Sequence, residues 1–323
     1  MFTRRGNLAR SPHASSANSP STDSWNERYR WRHSMRGTSL ARPFAPRIAV
    51  ASRLSLAACL ALAACLASSA CGDPSAPAPA ATLTPVPENA DWPASSPEAE
   101  QLDPSRLGDL VMRIRRGDYG NIASLLIVRH GHLTVEEYFN GWNADRVHTM
   151  QSVSKSVVSL LVGLAAGAGN LSITDPATQF FPNYAPIANL DERKSAMTVR
   201  DLLTMRTGLD WSEDPYDGSP LKQLNECRCD WLRFVLDWPM REPPGTRWEY
   251  VSGGVILLGG LVGAATGTRL DRFAQAQLFA PLGAVGAYWV QGLPDGLPHG
   301  GGGLYLRPRD AAKLGQRNPS TIG

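Results

Sequence analysis

The stretch His148 to Gly167, HTMQSVSKSVVSLLVGLAAG, governs how the rest of the chain is read. Val153, Val157, Leu160, Leu161 and Leu164 recur at helical spacing, and Val158, Val162 and Ala165 fill much of the other side. A helix that is apolar nearly all round is buried in the middle of a domain. Ser152, Ser154 and Ser156 suit a helix start better than a helix interior. Ser152 and Lys155 share one helical face, which brings the ammonium within reach of the hydroxyl. A serine hydroxyl is a weak nucleophile without a base beside it. A lysine in an apolar surround holds its proton less firmly and can accept one. The tetrapeptide S-x-x-K fixes only two positions, and taken alone it is also compatible with chance.

Upstream of this stretch the composition changes character. Residues 1–53 hold ten arginines, no lysine and two acids, Asp23 and Glu27. From Leu54 the chain reads LSLAACLALAACLASSAC. A basic region, an apolar stretch and small residues before a cysteine read as a secretory signal. The run is too short and too alanine-rich for a membrane span. Leu62-Ala63-Ala64-Cys65 has the form of a lipobox, with Cys71 a second lipidation candidate, and Met35 offers a more ordinary start to such a signal. Residues 1–71 are therefore expected to be a leader with a lipoprotein-type signal peptide. Residues 72–102 are rich in Pro, Ala and Ser, a composition that stays extended and reads as a tether. Residues 103–323 are left as the globular domain of an exported, periplasmic or cell-envelope protein with a candidate lipid anchor.

Setting the leader aside reverses the charge balance. Of 32 basic and 29 acidic residues, 22 and 27 remain. The basic excess thus belongs to the leader, and no basic patch points to nucleic acid. Cys227 and Cys229 are the two cysteines outside the signal region and read as ordinary loop residues, with no further ligands to make a zinc site.

Within the domain, Pro104 to Arg116 has the pattern of a helix. Asn121–Val128 and His132–Phe139 read as strands joined by a turn at Arg129-His130-Gly131. His130 and His132 are expected to be solvated in that turn. Met197 to Gly208 reads as a short helix with Thr198 as cap and Gly208 as stop, and Trp231–Asp237 as another, ended by Pro239. The stretch Glu242 to Gly254, EPPGTRWEYVSGG, places Tyr250 and Ser252 where a loop meets an apolar, Gly-rich helix running to about Ala265, with Gly267 as its stop. A phenol close to an ammonium has its phenolate favoured and can act as a base. A tyrosine packed in a loop is the plainer alternative.

Taken together, Ser152-Val153-Ser154-Lys155, LLTMRTGLDW, PPGTRWEY with Tyr250-Val251-Ser252, APLGAVGAYW and GGGLYLRPRDAAKLG resemble the penicillin-recognising serine hydrolases. Within that group the chain looks most like class C β-lactamases, related serine esterases and 6-aminohexanoate-oligomer hydrolases. The resemblance runs from about residue 100 to about residue 315, in the family's order. It implies an α+β fold of β-lactamase/transpeptidase type, with a helical subdomain beside an antiparallel sheet. It implies an acyl-enzyme on Ser152, with Lys155 and Tyr250 sharing the proton transfers and the Ser152 N–H as one oxyanion donor. Ser252 would contact substrate in place of the asparagine common in class C β-lactamases. The substrate would be a small amide or ester, β-lactam-like bonds included, and no metal or organic cofactor is implied.

The family's third motif, K-T-G or H-x-G on a late strand, is expected several tens of residues after Gly301-Gly302-Gly303-Leu304. The chain reaches Gly323 first. His299-Gly300-Gly301 has the letters but precedes that segment, and reads as coincidence. The domain is therefore expected to lack its C-terminal strands and helix, with turnover impaired. The alternative is a non-catalytic remnant or an envelope binding protein with the same fold.

Overall fold

The computed structural model describes residues 82–87, 92–291 and 296–316. The predicted leader, with Cys65 and Cys71, lies outside the described residues. Helix α1 (Pro104–Arg115) begins on Asp103, whose carboxylate accepts from the Ser105 and Arg106 N–H groups. Strands β1 (Ser124–Arg129) and β2 (His132–Tyr138) form the predicted antiparallel hairpin. Alternation puts Glu136 and Glu137 of β2 on opposite faces. Glu137 pairs with Arg115 of α1 at 3.0 Å. Glu136 pairs with Arg309 through two 2.6 Å bonds.

Two expectations are corrected at this hairpin. His130 and His132 are not simply solvated: their Nδ1 atoms lie 2.8 and 3.0 Å from the two oxygens of Glu100. Residues from Trp92 onward, read as the end of the tether, pack on the hairpin instead. Trp92 is buried, and the Leu133 N–H and C=O bond to Pro93 and Ser95. An aromatic ring inside the Pro/Ala run supplies the apolar surface that a tether lacks.

A second sheet was not foreseen. Strands β3 (His148–Thr149), β4 (Tyr288–Trp289) and β5 (Leu304–Leu306) pair antiparallel in the order β3-β5-β4. Helix α2 (Val153–Gly167) follows β3. Val157, Val158, Leu161, Val162 and Ala165 are buried as expected, but Val153 is 55 % exposed. The buried face begins with Ser154, and Val153 points away from it.

The remaining helices are α3 (Glu192–Ala196), α4 (Val199–Leu203), α5 (Pro220–Glu226), α6 (Trp231–Leu236), α7 (Ser252–Thr266), α8 (Leu270–Ala274) and α9 (Pro308–Gln316), the last of which packs on β1. Thr198 and Asp201 cap α4 reciprocally, as predicted at its start, but the helix ends at Leu203 and Gly208 lies in a later turn at φ +74°. Gly267 stops α7 in the left-handed region, as expected. Val255, Ile256, Leu257, Leu258, Leu261 and Val262 of α7 are all buried. Each such side chain contributes roughly 1.5–3 kcal/mol of burial, and α2, α4, α6 and α8 pack around them. The close fit uses glycine. A Cβ on Gly253 would stand 2.7 Å from the Trp211 ring, and one on Gly260 2.5 Å from Leu232. Among the described residues no single helix is long and apolar enough to cross a membrane.

Cys227 and Cys229 form a disulfide, which corrects the reading of free loop cysteines. Helix α5 ends at Glu226 and the chain leaves it extended at Cys227, which sets the two Cα atoms 5.3 Å apart, within bridging range.

Candidate active site

The chain enters α2 through a strained residue. Gln151 has φ +43°, in the left-handed region that non-glycine residues occupy at a cost of about 1–3 kcal/mol. Ser152 follows as the N-cap, yet its side chain makes no capping bond. Its Oγ is instead engaged twice. The Tyr250 hydroxyl donates to it at 2.8 Å, and the Lys155 ammonium donates to it at 3.2 Å. Ser152 is exposed, while Lys155 and Tyr250 are half-buried. The structure thus brings these three side chains together, across 98 residues between Ser152 and Tyr250.

The other partners of Lys155 are neutral. Its ammonium donates at 2.5 Å to the Gly301 carbonyl and lies 4.9 Å from the centre of the Tyr250 ring. Gly301 comes from the glycine run, which threads between the starts of α2 and α7. A Cβ on Gly301 would meet the Ser252 carbonyl at 3.3 Å, and one on Gly302 would lie 3.9 Å from Gln151. Leu304 fixes this run in place: its carbonyl accepts from the Met150 N–H at 2.8 Å, and its N–H donates to the buried Ser154 hydroxyl at 3.2 Å. Ser152 is therefore bracketed from both sides by one residue of β5.

His299-Gly300-Gly301, read as coincidence, adjoins the site. The His299 ring packs edge-on against Trp231 at 5.0 Å, and its Nε2 lies 3.2 Å from the Asn225 Oδ1. Burial, aided by the nearby Lys155 charge, pushes the His299 pKa down to about 4. The imidazole is accordingly neutral over the working range and adds no charge beside Lys155.

Ser252, expected to contact substrate, is only 3 % exposed. Its hydroxyl donates to Glu213 Oε2 at 3.0 Å and its N–H to Glu213 Oε1 at 2.5 Å. It has almost no surface to offer a ligand, because the first turn of α7 is covered. Glu213 was not found from the sequence. It lies three residues beyond the LLTMRTGLDW stretch's Asp210, and a contact spanning 39 residues leaves no local pattern.

Among the described residues no cluster of His, Cys, Asp or Glu is arranged to hold a metal ion.

The chain is 25 % identical over 222 residues to a 6-aminohexanoate-dimer hydrolase of Paenarthrobacter ureafaciens, covering 66 % of this chain and 55 % of that protein. It is 27 % identical over 212 residues to esterase EstB of Burkholderia gladioli, covering 59 % and 54 %. The chain thus spans about half the length of these curated relatives. In fold it is similar to EstCE1, described as a hydrolase with promiscuous acyltransferase activity. The TM-score is 0.54 and the identity 19 %, over 70 % of this chain and 77 % of that one. The family model described as Beta-lactamase matches residues 121–318, from the first strand of the hairpin through the glycine run that meets Lys155. On that match the chain belongs to the Beta-lactamase family.

Proposed function

We propose that this protein is a serine hydrolase that cleaves a small amide or ester through an acyl-enzyme on Ser152. One observation carries the reading: Ser152 Oγ is hydrogen-bonded by both the Tyr250 hydroxyl and the Lys155 ammonium, with its own capping role left unused. Nucleophile and base within bonding reach, with the base oriented by a third group, is the signature of an activated hydroxyl.

In the first half-reaction the Lys155–Tyr250 pair acts in the form that lacks one proton, a Tyr250 phenolate beside the Lys155 ammonium: the phenolate takes the Ser152 proton as Oγ bonds to the substrate carbonyl carbon. The Ser152 N–H, at the start of α2, supplies a donor to the oxyanion. The pair then protonates the departing amine or alcohol as its bond to the carbonyl carbon breaks. Water repeats the sequence on the ester: its proton goes to the pair, its oxygen to the acyl carbon, and Ser152 recovers a proton as the acid leaves. Lys155 also has a fixed task, since its bond to Gly301 holds the ammonium between the glycine run and the nucleophile.

The relatives named above support amides and esters as the substrate class. We also propose that the protein is exported and lipidated at Cys65 or Cys71. Support comes from the apolar run ending in cysteine and from the Cys227–Cys229 disulfide, a bond that persists in oxidising compartments.

The deciding experiment exposes the full chain to a fluorophosphonate and locates the adduct by mass spectrometry. A stoichiometric adduct on Ser152, absent from Ser152→Ala protein, is expected. Folded protein that gives no adduct would overturn the reading in favour of a binding protein.

A further inference from the structure

We infer that Glu213 is a positioning residue that holds Tyr250 at its distance from Ser152. The inference rests on the proposed roles of Ser152 and Tyr250. Helix α7 starts without a cap of its own: its N-cap is Val251, whose side chain cannot accept a hydrogen bond. The first N–H groups of a helix need acceptors. Glu213 supplies one from 39 residues away: its Oε1 accepts from the Ser252 N–H, and its Oε2 accepts from the Ser252 hydroxyl. A carboxylate at the positive end of a 15-residue helix is also favoured by the helix dipole.

Glu213 is itself braced. Its Oε1 accepts from Trp211 Nε1 at 2.9 Å, and Trp211 is fully buried with its ring against Gly253. The carboxylate, the indole and the first two residues of α7 therefore form one rigid corner. Tyr250 stands two residues outside that corner, joined to it by the extended Val251. Its hydroxyl reaches Ser152, which stands on a different helix. Loss of the corner lets the end of α7 fray and moves the phenol, not the nucleophile. A displacement of about 1 Å in such a pair costs roughly 10²-fold in rate.

The test compares full-length parent, Glu213→Ala and Glu213→Gln on p-nitrophenyl acetate, with active sites counted by fluorophosphonate titration. A merely structural role lowers the number of active sites and the melting temperature but leaves the rate per site unchanged. The positioning role predicts a kcat per site lower by roughly 10²-fold in Glu213→Ala, with KM nearly unchanged. Glu213→Gln keeps the shape and an acceptor for the Ser252 N–H, and is expected to stay within roughly tenfold of the parent. If Glu213→Ala does not fold, Glu213→Asp decides. It keeps the charge but is too short to reach both donors of Ser252, and its kcat per site should drop by about tenfold or more. A per-site kcat equal to the parent's in a folded Ala or Asp variant overturns the inference while leaving Ser152 as the nucleophile. Absence of a Ser152 adduct in the parent overturns the underlying reading, and this inference with it.

Discussion

The Lys155 ammonium donates at 2.5 Å to the carbonyl of Gly301, 146 residues further along the chain. That bond ties the glycine run to the helix that Ser152 begins, and it makes a test of neighbouring glycines informative. A Cβ on Gly301 would sit 3.3 Å from both the Ser252 carbonyl and His299 Cε1, whereas one on Gly302 finds nothing nearer than 3.7 Å. Gly301→Ala should displace its carbonyl and cost about 1–3 kcal/mol by overpacking. Gly302→Ala should be close to neutral. Urea unfolding and the rate of Ser152 labelling, measured on both, check the contrast. Equal behaviour of the two variants would count against the role given to the Gly301 carbonyl.

Tyr250→Phe removes one hydroxyl whose partner, Ser152 Oγ, is exposed. No buried group is left unsatisfied, so stability should change little. Hydrolysis should fall by about 10²–10⁴, the usual contribution of a positioned acid–base group. Circular dichroism and ester hydrolysis on the same sample separate the two effects.

The depressed pKa of His299 gives stability a dependence on pH. Its folded value, about 4, lies below the ordinary 6.5. Between those values the unfolded chain binds more protons, so this contribution is complete above pH 6.5 and is lost as the pH falls toward 4. Its size is on the order of 1–3 kcal/mol. His148, whose pKa burial also lowers, acts in the same direction. Urea unfolding at pH 7.5 and pH 5 should show a smaller loss in His299→Gln than in the parent. An identical loss in both would remove His299 as the source.

Helix α7 offers paired substitutions of opposite sign. Gly253→Ala drives a methyl into the Trp211 ring and should destabilise by about 1–3 kcal/mol. Gly263→Ala finds only the Thr268 carbonyl at 3.9 Å and should stabilise by up to about 1 kcal/mol through helix propensity. Thermal melts of the two proteins give the comparison.

These sites differ in how far the sequence disclosed them. The limits of α7 were legible because Gly267 is a left-handed stop and the apolar run before it is unbroken. The hairpin was legible from two apolar runs around Arg129-His130-Gly131. The reach of Lys155 to Ser152 was legible from helical spacing, whereas the place of Tyr250 beside them came from the resemblance, since its loop-to-helix junction alone also fits a packed tyrosine. Glu213 was not, since its partners are set by the packing of Trp211 on Gly253 and not by any repeat. The strands β3, β4 and β5 are two or three residues long, too short to show a period of two. His299 lies in a loop and not on a strand, as its letters were read, but nothing in H-x-G says that Asn225 and Trp231 lie against its ring.

Leu304 brackets Ser152 through Met150 and through Ser154, the latter 150 residues earlier. The consequence concerns the life of the chain before it is folded. Ser152 leaves the ribosome long before Leu304 does, and closing a loop of that length is a late event in folding. Until then the Gly301 carbonyl that anchors Lys155 is not in place either. On the proposed reading of Ser152, the reactive centre is completed only with the last segment of the described fold. With export and hydrolysis as proposed above, the chain would travel unarmed, and its chemistry would begin where its folding ends.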